Sequence, residues 1–321
     1  MVHDPVFEVR RAVSATGRLH QPGDRILIGV SGGADSLALA AAAAADTESG
    51  LQFGAVVIDH MLQEGSATVA ASTAETCRSL GLDPVFEVHV HVNEDLGGLE
   101  NAARLARRIA LLNAAEEIDA AAIWLAHTSD DQAETVLLGL LRGSGPRSLA
   151  GMRMYDGVWE RPLLELDRDT VRASLAHYGL VPFEDPHNVD RRFARVKVRH
   201  DVLPVLEREL GGHVAEQLVR SAALFRDDTD ALDAMALTWH EQHERLLIDE
   251  LKQLPRALRT RVIRRAILAH GTPPNGLTKD HIDAVEHLAM EPRTTGPVRL
   301  PGMVQASKDR SVGAIIFEPT Q

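Results

Sequence analysis

Gly29-Val30-Ser31-Gly32-Gly33-Ala34-Asp35-Ser36 follows a compact β-branched run at residues 26–30 and opens an Ala-rich stretch at 37–45. Two adjacent glycines let the backbone curl so that successive N–H groups converge. Ser31 and Ser36 add hydroxyls, and the helix that follows directs its positive N-terminus at the same spot. A strand, a phosphate-sized anion cradle and a helix, in that order, open a βαβ unit. The loop is not a Walker A motif, because no Gly-Lys-Ser/Thr follows, and G-x-G-x-x-G is not met either.

Outward from this loop, strand-like and helix-like segments alternate. Residues 53–58 form a second apolar run, and 68–80 read as a helix stopped by Gly81. Residues 85–92 alternate at period two, with Phe86, Val88, Val90 and Val92 on one face. Glu87, His89 and His91 on the other face predict a strand near a sheet edge. Residues 99–117 read as an amphipathic helix with Leu105, Ile109 and Leu112 on its inner stripe, and 121–126 as a fourth strand. Strands alternating with helices predict an α/β fold, a parallel twisted sheet with helices on both faces. The character changes after Leu149. Residues 161–201 are loop-rich and basic, punctuated by Pro162, Pro182 and Pro186. A long helix is expected over 213–243, with Leu218, Leu224, Leu232 and Met235 as core positions. Further helices are expected over 251–270 and 278–290, the last capped by Thr278, and a small β-ribbon with a Pro301-Gly302 turn over 298–317. The expected division is a domain at 1–210 and a mostly helical domain with a small sheet at 211–321.

Composition narrows the function. The chain has 321 residues and 34 − 46 = −12 formal charge, which opposes non-specific coating of nucleic acid through a global positive field. Aromatic residues make up 4%, so the core is expected to be aliphatic. Cys77 is the single cysteine, which excludes an internal disulfide, a Cys-rich zinc site and two-cysteine sulfur relay within the chain. Residues 1–15 lack the apolar run of a signal peptide, and 37–45 is too short to span a bilayer. The expectation is a soluble, cytoplasmic protein without a membrane partner.

A second constellation, His127-Thr128-Ser129-Asp130-Asp131-Gln132-Ala133-Glu134-Thr135, follows the fourth strand. Asp130, Asp131 and Glu134 share a helical face in the first turns, where the dipole favours negative charge. Capping alone, with Thr128/Asp131 or Ser129/Gln132 as a capping box, would explain part of it. Ser31, Asp59-His60 and His127 nevertheless all come directly after predicted parallel strands, whose carboxyl ends line one ligand crevice in open α/β sheets.

Ser31-Gly32-Gly33-x-Asp35-Ser36 resembles the pyrophosphatase (PP) loop of the ATP-pyrophosphatase superfamily. The resemblance implies ATP as co-substrate, cleaved to AMP and pyrophosphate. It also implies Ser31, Gly32, Gly33, Ala34, Asp35, Ser36, Asp59 and His60 as ATP-binding residues, with Mg²⁺ on Asp35. Glu100-Asn101-Ala102-Ala103-Arg104, Arg142-Gly143-Ser144-Gly145, Leu149-Ala150-Gly151-Met152, Arg161-Pro162-Leu163-Leu164 and Glu184-Asp185-Pro186-x-Asn188 extend the match. This ordered series resembles the bacterial tRNA(Ile)-lysidine synthetase family in its shorter form. That family adenylates the 2-carbonyl oxygen of the wobble cytidine of tRNA(Ile) with a CAU anticodon. Free L-lysine then attacks and expels AMP.

The resemblance implies Asp35, Asp131, Glu134 and His127 as catalytic residues, with the roles of Asp130, Asp131 and Glu134 interchangeable. Arg104, Asp131 and Glu134 would bind lysine, Arg104 as a bidentate clamp on its α-carboxylate. Two basic clusters are candidates for tRNA phosphates: Arg191, Arg192, Arg195, Lys197, Arg199 and His200, and Lys252, Arg256, Arg259, Arg261, Arg264 and Arg265. Within them Arg195, Lys197, Arg199, Arg259, Arg261 and Arg264 are the expected tRNA contacts. The chain departs from the family pattern twice. Met61-Leu62-Gln63 follows Asp59-His60 where Gly-Leu-Arg is usual, and Arg195-Val196 stands where Arg-Asn is expected. A thiolase would need more than Cys77, amide-forming NAD or GMP synthetases would not explain the downstream series, and a nucleotide sensor would not need the carboxylates. The oligomeric state stays open, a homodimer included.

Overall fold

The β-branched run after the first helix becomes the central strand of a six-stranded sheet. The computed structural model describes residues 4–59, 61, 65–90, 99–294 and 296–320, so His60, His91 and Val92 lie outside the described residues. The chain divides into two compact units, residues 1–223 and 224–321.

In the first unit, in chain order, lie α1 (Pro5–Gly17), β1 (Arg25–Val30), α2 (Ala34–Ala44), β2 (Gln52–Asp59), α3 (Ser66–Ser79), β3 (Val85–His89), α4 (Leu99–Glu117), β4 (Ala122–Trp124) and α5 (Ser129–Leu141). There follow α6 (Pro146–Leu149), the hairpin β5 (Tyr155–Asp156) and β6 (Trp159–Glu160), α7 (Arg168–Leu175) and α8 (Ala194–Lys197). A single π turn, Val198–Val202, joins α8 to α9 (Leu203–Leu210), and α10 (Val214–Gln242) runs on into the second unit. The strand order is β3-β2-β1-β4-β6-β5, parallel except for β5. β3 is the edge strand that its polar face predicts.

Side chains alternate across β1. Ile26, Ile28 and Val30 join the core formed with α1, α2 and α7, whereas Leu27 joins Val56, Leu111 and Ile123 beneath α4. Each fully buried Ile or Leu contributes about 1.5–3 kcal/mol. The alanines of α2 let it bury from Ser36 to Ala43 without a break.

α4 has the expected bounds but a different inner face. Ala102, Ala110, Leu111, Ala114 and Ala115 are buried, while Leu105, Ile109 and Leu112 are 39%, 50% and 41% exposed. Small side chains let the helix approach the sheet closely, and the bulkier stripe turns outward. The expected core of α10 is also displaced. Ala222, Thr229 and Ala236, seven residues apart, are buried, Leu224 and Met235 are exposed, and Leu218 and Leu232 are intermediate.

The second unit contains β7 (Leu246–Leu247), α11 (Ile248–Gln253), α12 (Arg256–Ala269), α13 (Lys279–Met290), β8 (Val298–Leu300), β9 (Val304–Asp309) and β10 (Ala314–Pro319). The helix expected over 251–270 is split, because Leu254 and Pro255 are extended (ψ 138° and 144°) where a proline disfavours the helical conformation of its predecessor. Thr278 caps α13 with His281 as its reciprocal partner. The ribbon is a four-stranded antiparallel sheet, β7-β10-β9-β8, packed on Val262, Ile263, Ile267, Val285 and Leu288. β7 pairs with Ala314 and Ile315, a short strand that two leucines alone do not announce. Among the described residues no helix is long and apolar enough to cross a membrane.

Candidate active site

β1, β2 and β4 are adjacent and parallel, so the loops after them open at one edge of the sheet. After β1, Gly32 takes φ +80°, and a Cβ there would lie 2.6 Å from Thr73 Oγ1. Glycine is therefore required for both conformation and space. The Ser31 N–H donates to Ser36 Oγ (3.1 Å), the Ser36 hydroxyl donates to the Gly33 carbonyl (2.9 Å), and the Phe183 N–H donates to the Gly32 carbonyl (2.9 Å). Gly33 is the N-cap of α2 without a side-chain cap, leaving the first N–H groups of that helix available to an anion.

Beside this loop lies a cavity of about 390 Å³, lined by Ser31, Asp59, Gly65, Ser66, Phe183 and His187 among others. Asp59 ends β2, and its buried carboxylate accepts from the Met61 N–H at 2.8 Å and lies 3.3 Å from His89 Nδ1. Burial pushes its pKa up, but the Met61 and Ser66 hydrogen bonds and His89 hold it below the usual value. Met61 has φ +51°, left-handed backbone at the position where the family pattern carries Gly. The segment 183–187 completes the cavity, and the sequence reading assigned it no role.

The second constellation starts α5, and each polar residue has a distinct use. Asp131 Oδ2 accepts from the Thr128 N–H (2.9 Å), its half of a capping box with Thr128, and from the Thr128 hydroxyl (3.1 Å). Its Oδ1 faces the other way, accepting from Arg168 (3.0 Å) and Arg199 (3.2 Å). Asp130 Oδ2 accepts from the Arg168 backbone N–H at 2.8 Å. The Gln132 amide bonds both the N–H and carbonyl of Met152, and a Cβ on Gly151 would lie 2.5 Å from its Oε1. Glu134 is 0% exposed and accepts from Arg199 Nε (2.7 Å) and Arg168 (3.2 Å) on Oε1, and from Arg195 Nε (2.7 Å) and Arg199 (3.1 Å) on Oε2.

Arg168 is the bridge between the two constellations. Its guanidinium lies 3.8 Å from both Asp35 Oδ2 and Asp130 Oδ1, besides its bonds to Asp131 and Glu134. Burial opposes its charge, but these carboxylates raise its pKa. Asp131 is likewise pushed up by burial, yet Arg195 and Arg168 hold its carboxyl below the ordinary value. Asp35 is different. Desolvation outweighs the arginines and raises its pKa, and its Oδ1 is buried without a hydrogen-bond partner. His127 is driven down to about 3, by burial first and by Arg161, Arg107 and Arg195, so its imidazole is neutral at pH 7. Its Nδ1 is buried without a partner.

Ser31 and Asp59 therefore line one cavity, and Asp35, Asp131 and Glu134 meet on Arg168. Arg104 is exposed on α4, near Arg107 and Arg161, whose pKa values it lowers. Arg195 and Arg199, expected at tRNA phosphates, hold Glu134, and Lys197 is exposed. In the second unit Arg259 is on Glu286 and Arg261 on Asp233, and Arg264 has contacts of its own. Arg168 was missed. Its only sequence signal was a position after the Asp167 cap of a short helix.

Among the described residues no group of three or more His, Cys, Asp or Glu side chains is arranged to hold a metal ion. A magnesium ion needs less, one or two carboxylates plus substrate phosphates, and Asp35 Oδ1, which accepts no hydrogen bond and faces Arg172 at 3.8 Å, fits that requirement.

A family model described as a PP-loop domain matches residues 8–206, and one described as a TilS substrate binding domain matches residues 246–311. The chain is 49% identical over 303 residues to a tRNA(Ile)-lysidine synthase of Thermobifida fusca, covering 93% of each chain. It is 45% identical to that of Mycobacterium tuberculosis, covering 91% of this chain and 90% of the relative. In fold it is similar to the U34-tRNA thiolase NcsA from Methanococcus maripaludis, at TM-score 0.58 and 18% identity, over 69% of this chain and 80% of that one. The PP-loop match spans the cavity, the glycine loop and the carboxylate–arginine cluster, and the identity extends over nearly the whole sequence. The chain belongs to the tRNA(Ile)-lysidine synthase family.

Proposed function

We propose that this protein, acting in the cytoplasm, joins free L-lysine to C2 of the wobble cytidine of tRNA(Ile) with a CAU anticodon. ATP is converted to AMP and pyrophosphate through an O2-adenylated cytidine. The observation that carries the reading is the link through Arg168 between the Ser31–Ser36 loop side of the site and the Asp131/Glu134 cluster. Adenylation and amine attack need a phosphate cradle and an amine-binding carboxylate set side by side. Relatives carrying that activity in their names, at 43–49% identity, support it.

Ser31, Gly32, Gly33, Ala34 and Ser36 bind the pyrophosphate through backbone N–H groups and hydroxyls, and Asp59 with His60 serves the nucleoside side. Asp35 suits Mg²⁺, which when bound supplies charge neutralisation of the leaving pyrophosphate. Asp131 and Glu134 receive the lysine ε-ammonium, orient it and take its proton. The acceptor positions of Glu134 are filled by three guanidiniums, so the ammonium enters by exchange with one of them. Incoming phosphates offer the displaced guanidinium a new partner. Arg104 holds the lysine α-carboxylate. Neutral, half-buried His127 lends a hydrogen-bonding face beside Asp131 without adding charge.

Residues 1–210 act as the catalytic domain and 211–321 as the tRNA-binding domain. Arg195, Lys197, Arg199, Arg259, Arg261 and Arg264 contribute to tRNA binding: Arg195, Arg199, Arg259 and Arg261 through donors that their carboxylate partners leave over, since a guanidinium has five, and Lys197 through its exposed ammonium. The test is ATP-dependent incorporation of labelled lysine into a tRNA(Ile) CAU transcript, with a wobble-uridine transcript as control. Incorporation into the first alone is expected. Pyrophosphate release with another acceptor, and no incorporation, would overturn the assignment of the second substrate.

A further inference from the structure

Basic residues of the second unit differ in how their charge is met. On α12, Arg256 and Arg259 share the buried carboxylate of Glu286, Arg256 also meets Asp283, and Arg261 meets Asp233. These charges are largely spent inside the unit. Elsewhere three cations from two segments border one open hollow of about 380 Å³: Lys252 on α11, and Lys308 and Arg310 at the β9–β10 turn. Lys308 Nζ donates to the Glu291 carbonyl (2.6 Å) and Arg310 to the Arg293 carbonyl (3.4 Å). A carbonyl satisfies a donor without cancelling its charge, and for Lys308 the Glu291 carboxylate offsets only part of it.

Two carboxylates also border the hollow. Asp309 Oδ1 is used within its own turn, accepting from the Ser311 N–H (2.8 Å) and hydroxyl (2.6 Å). Asp249 lies 3.4 Å from Lys252 with its side chain 95% exposed, a pair that water and salt screen strongly. We infer that the hollow framed by Lys252, Lys308 and Arg310 is a phosphate subsite that grips the sugar–phosphate backbone of the RNA substrate. Lys308 has its pKa pushed down by burial first and by repulsion from Lys252 and Arg310, against the opposing pull of Glu291. An arriving phosphodiester relieves that repulsion, and RNA provides it in a repeated, sequence-independent form. The inference rests on the tRNA reading of the protein and names the residues by which its second unit holds that substrate.

The test is binding of the full chain to a tRNA(Ile) CAU transcript across a range of NaCl concentrations, with Lys252→Gln, Lys308→Gln, Arg310→Gln and the triple variant. Lys279→Gln is the reference, removing one exposed cation already paired with Asp283. The triple variant is expected to bind cognate and non-cognate tRNA at least about tenfold more weakly. Its slope of log affinity against log salt falls by about 0.7–0.9 for each lost phosphate contact, while ATP binding is unchanged. An unchanged slope and affinity, or an equal loss in Lys279→Gln, would overturn the subsite. Unaltered tRNA binding with weakened binding of inorganic phosphate would also overturn it, showing a free-anion site. Failure of the tRNA reading would look different: the unmodified protein would neither bind nor lysinylate the transcript.

Discussion

Replacing Arg168 by Met removes a guanidinium that faces four carboxylates at once, Asp131 (3.0 Å), Glu134 (3.2 Å), and Asp35 and Asp130 (3.8 Å each), with its side chain 11% exposed. Methionine preserves much of the aliphatic stem, so the loss is electrostatic. Removing one partner of a buried ion pair costs about 3–5 kcal/mol, because the other charge stays buried. Arg195 and Arg199 still hold Glu134 and Asp131, which puts the expectation near the lower end, about 3 kcal/mol. For a unit of this size that is a fall of about 6–12 °C in Tm. The deficit depends on pH with a definite sign. Asp131 has a depressed folded pKa, to which Arg168 contributes. The stabilisation is therefore complete above the unfolded value of 3.8 and is lost as pH falls through the lower folded value. In the variant that depression weakens and the already raised Asp35 rises further, so protonation relieves repulsion at higher pH than in the parent. Thermal or urea unfolding at pH 7 and near pH 4 measures both effects, the deficit being largest at pH 7 and shrinking towards pH 4. A deficit under about 1 kcal/mol at pH 7, or one independent of pH, would refute the argument that Arg168 neutralises this cluster.

Three further outcomes are expected. Gly32→Ala forces a Cβ to 2.6 Å from Thr73 Oγ1 at φ +80°, costing about 1–2 kcal/mol in backbone conformation alone, and ATP binding measured by calorimetry weakens at least about tenfold. Met61→Gly relieves left-handed backbone at φ +51°. It keeps the N–H that Asp59 accepts, so Tm is unchanged or rises by a few degrees and ATP affinity is retained; a clear loss of either shows a role for the methionine side chain. Cys77 is buried, with its thiol pushed up to about 11, so a thiol reagent at pH 7.5 should label it only after unfolding; rapid labelling of the native protein would contradict the packing of α3.

The PP-loop half of the fold was legible because its signals are local. The 26–30 run, the glycine pair and the helix beyond are contiguous, and β1, α2, β2, α3 and α4 appear where hydrophobic period and stop signals put them. Errors arose where packing chooses between residues of similar pattern. On α4 the choice of Ala110 and Ala114 over Ile109 and Leu112 depends on how closely the helix approaches the sheet, which hydrophobicity does not encode. The capping box of Thr128 and Asp131 and a binding role for Asp131 were alternatives in the sequence. In the structure one carboxylate oxygen caps the helix and the other faces the arginines. Arg168, Arg195 and Arg199 were not readable as partners of Glu134, because they lie 34 to 65 residues away along the chain.

Runs of Arg and Lys invite a nucleic-acid reading, but in a chain with 46 acidic and 34 basic residues most arginines of the two basic runs find a carboxylate. Arg191 meets Asp201, Arg192 meets Asp190, Arg195 and Arg199 meet Glu134, and Arg259 meets Glu286. A charge so paired contributes little field at the distance of an approaching phosphate. Cation density along the sequence therefore does not measure attraction for RNA. The better measure is which cations the fold satisfies with carbonyl oxygens rather than carboxylates, because those keep their charge. Lys308 and Arg310 meet that criterion, although neither belongs to a basic run, and they join Lys252 from the other side of the same hollow. Charge pairing, more than charge count, decides where an acidic protein can hold a polyanion.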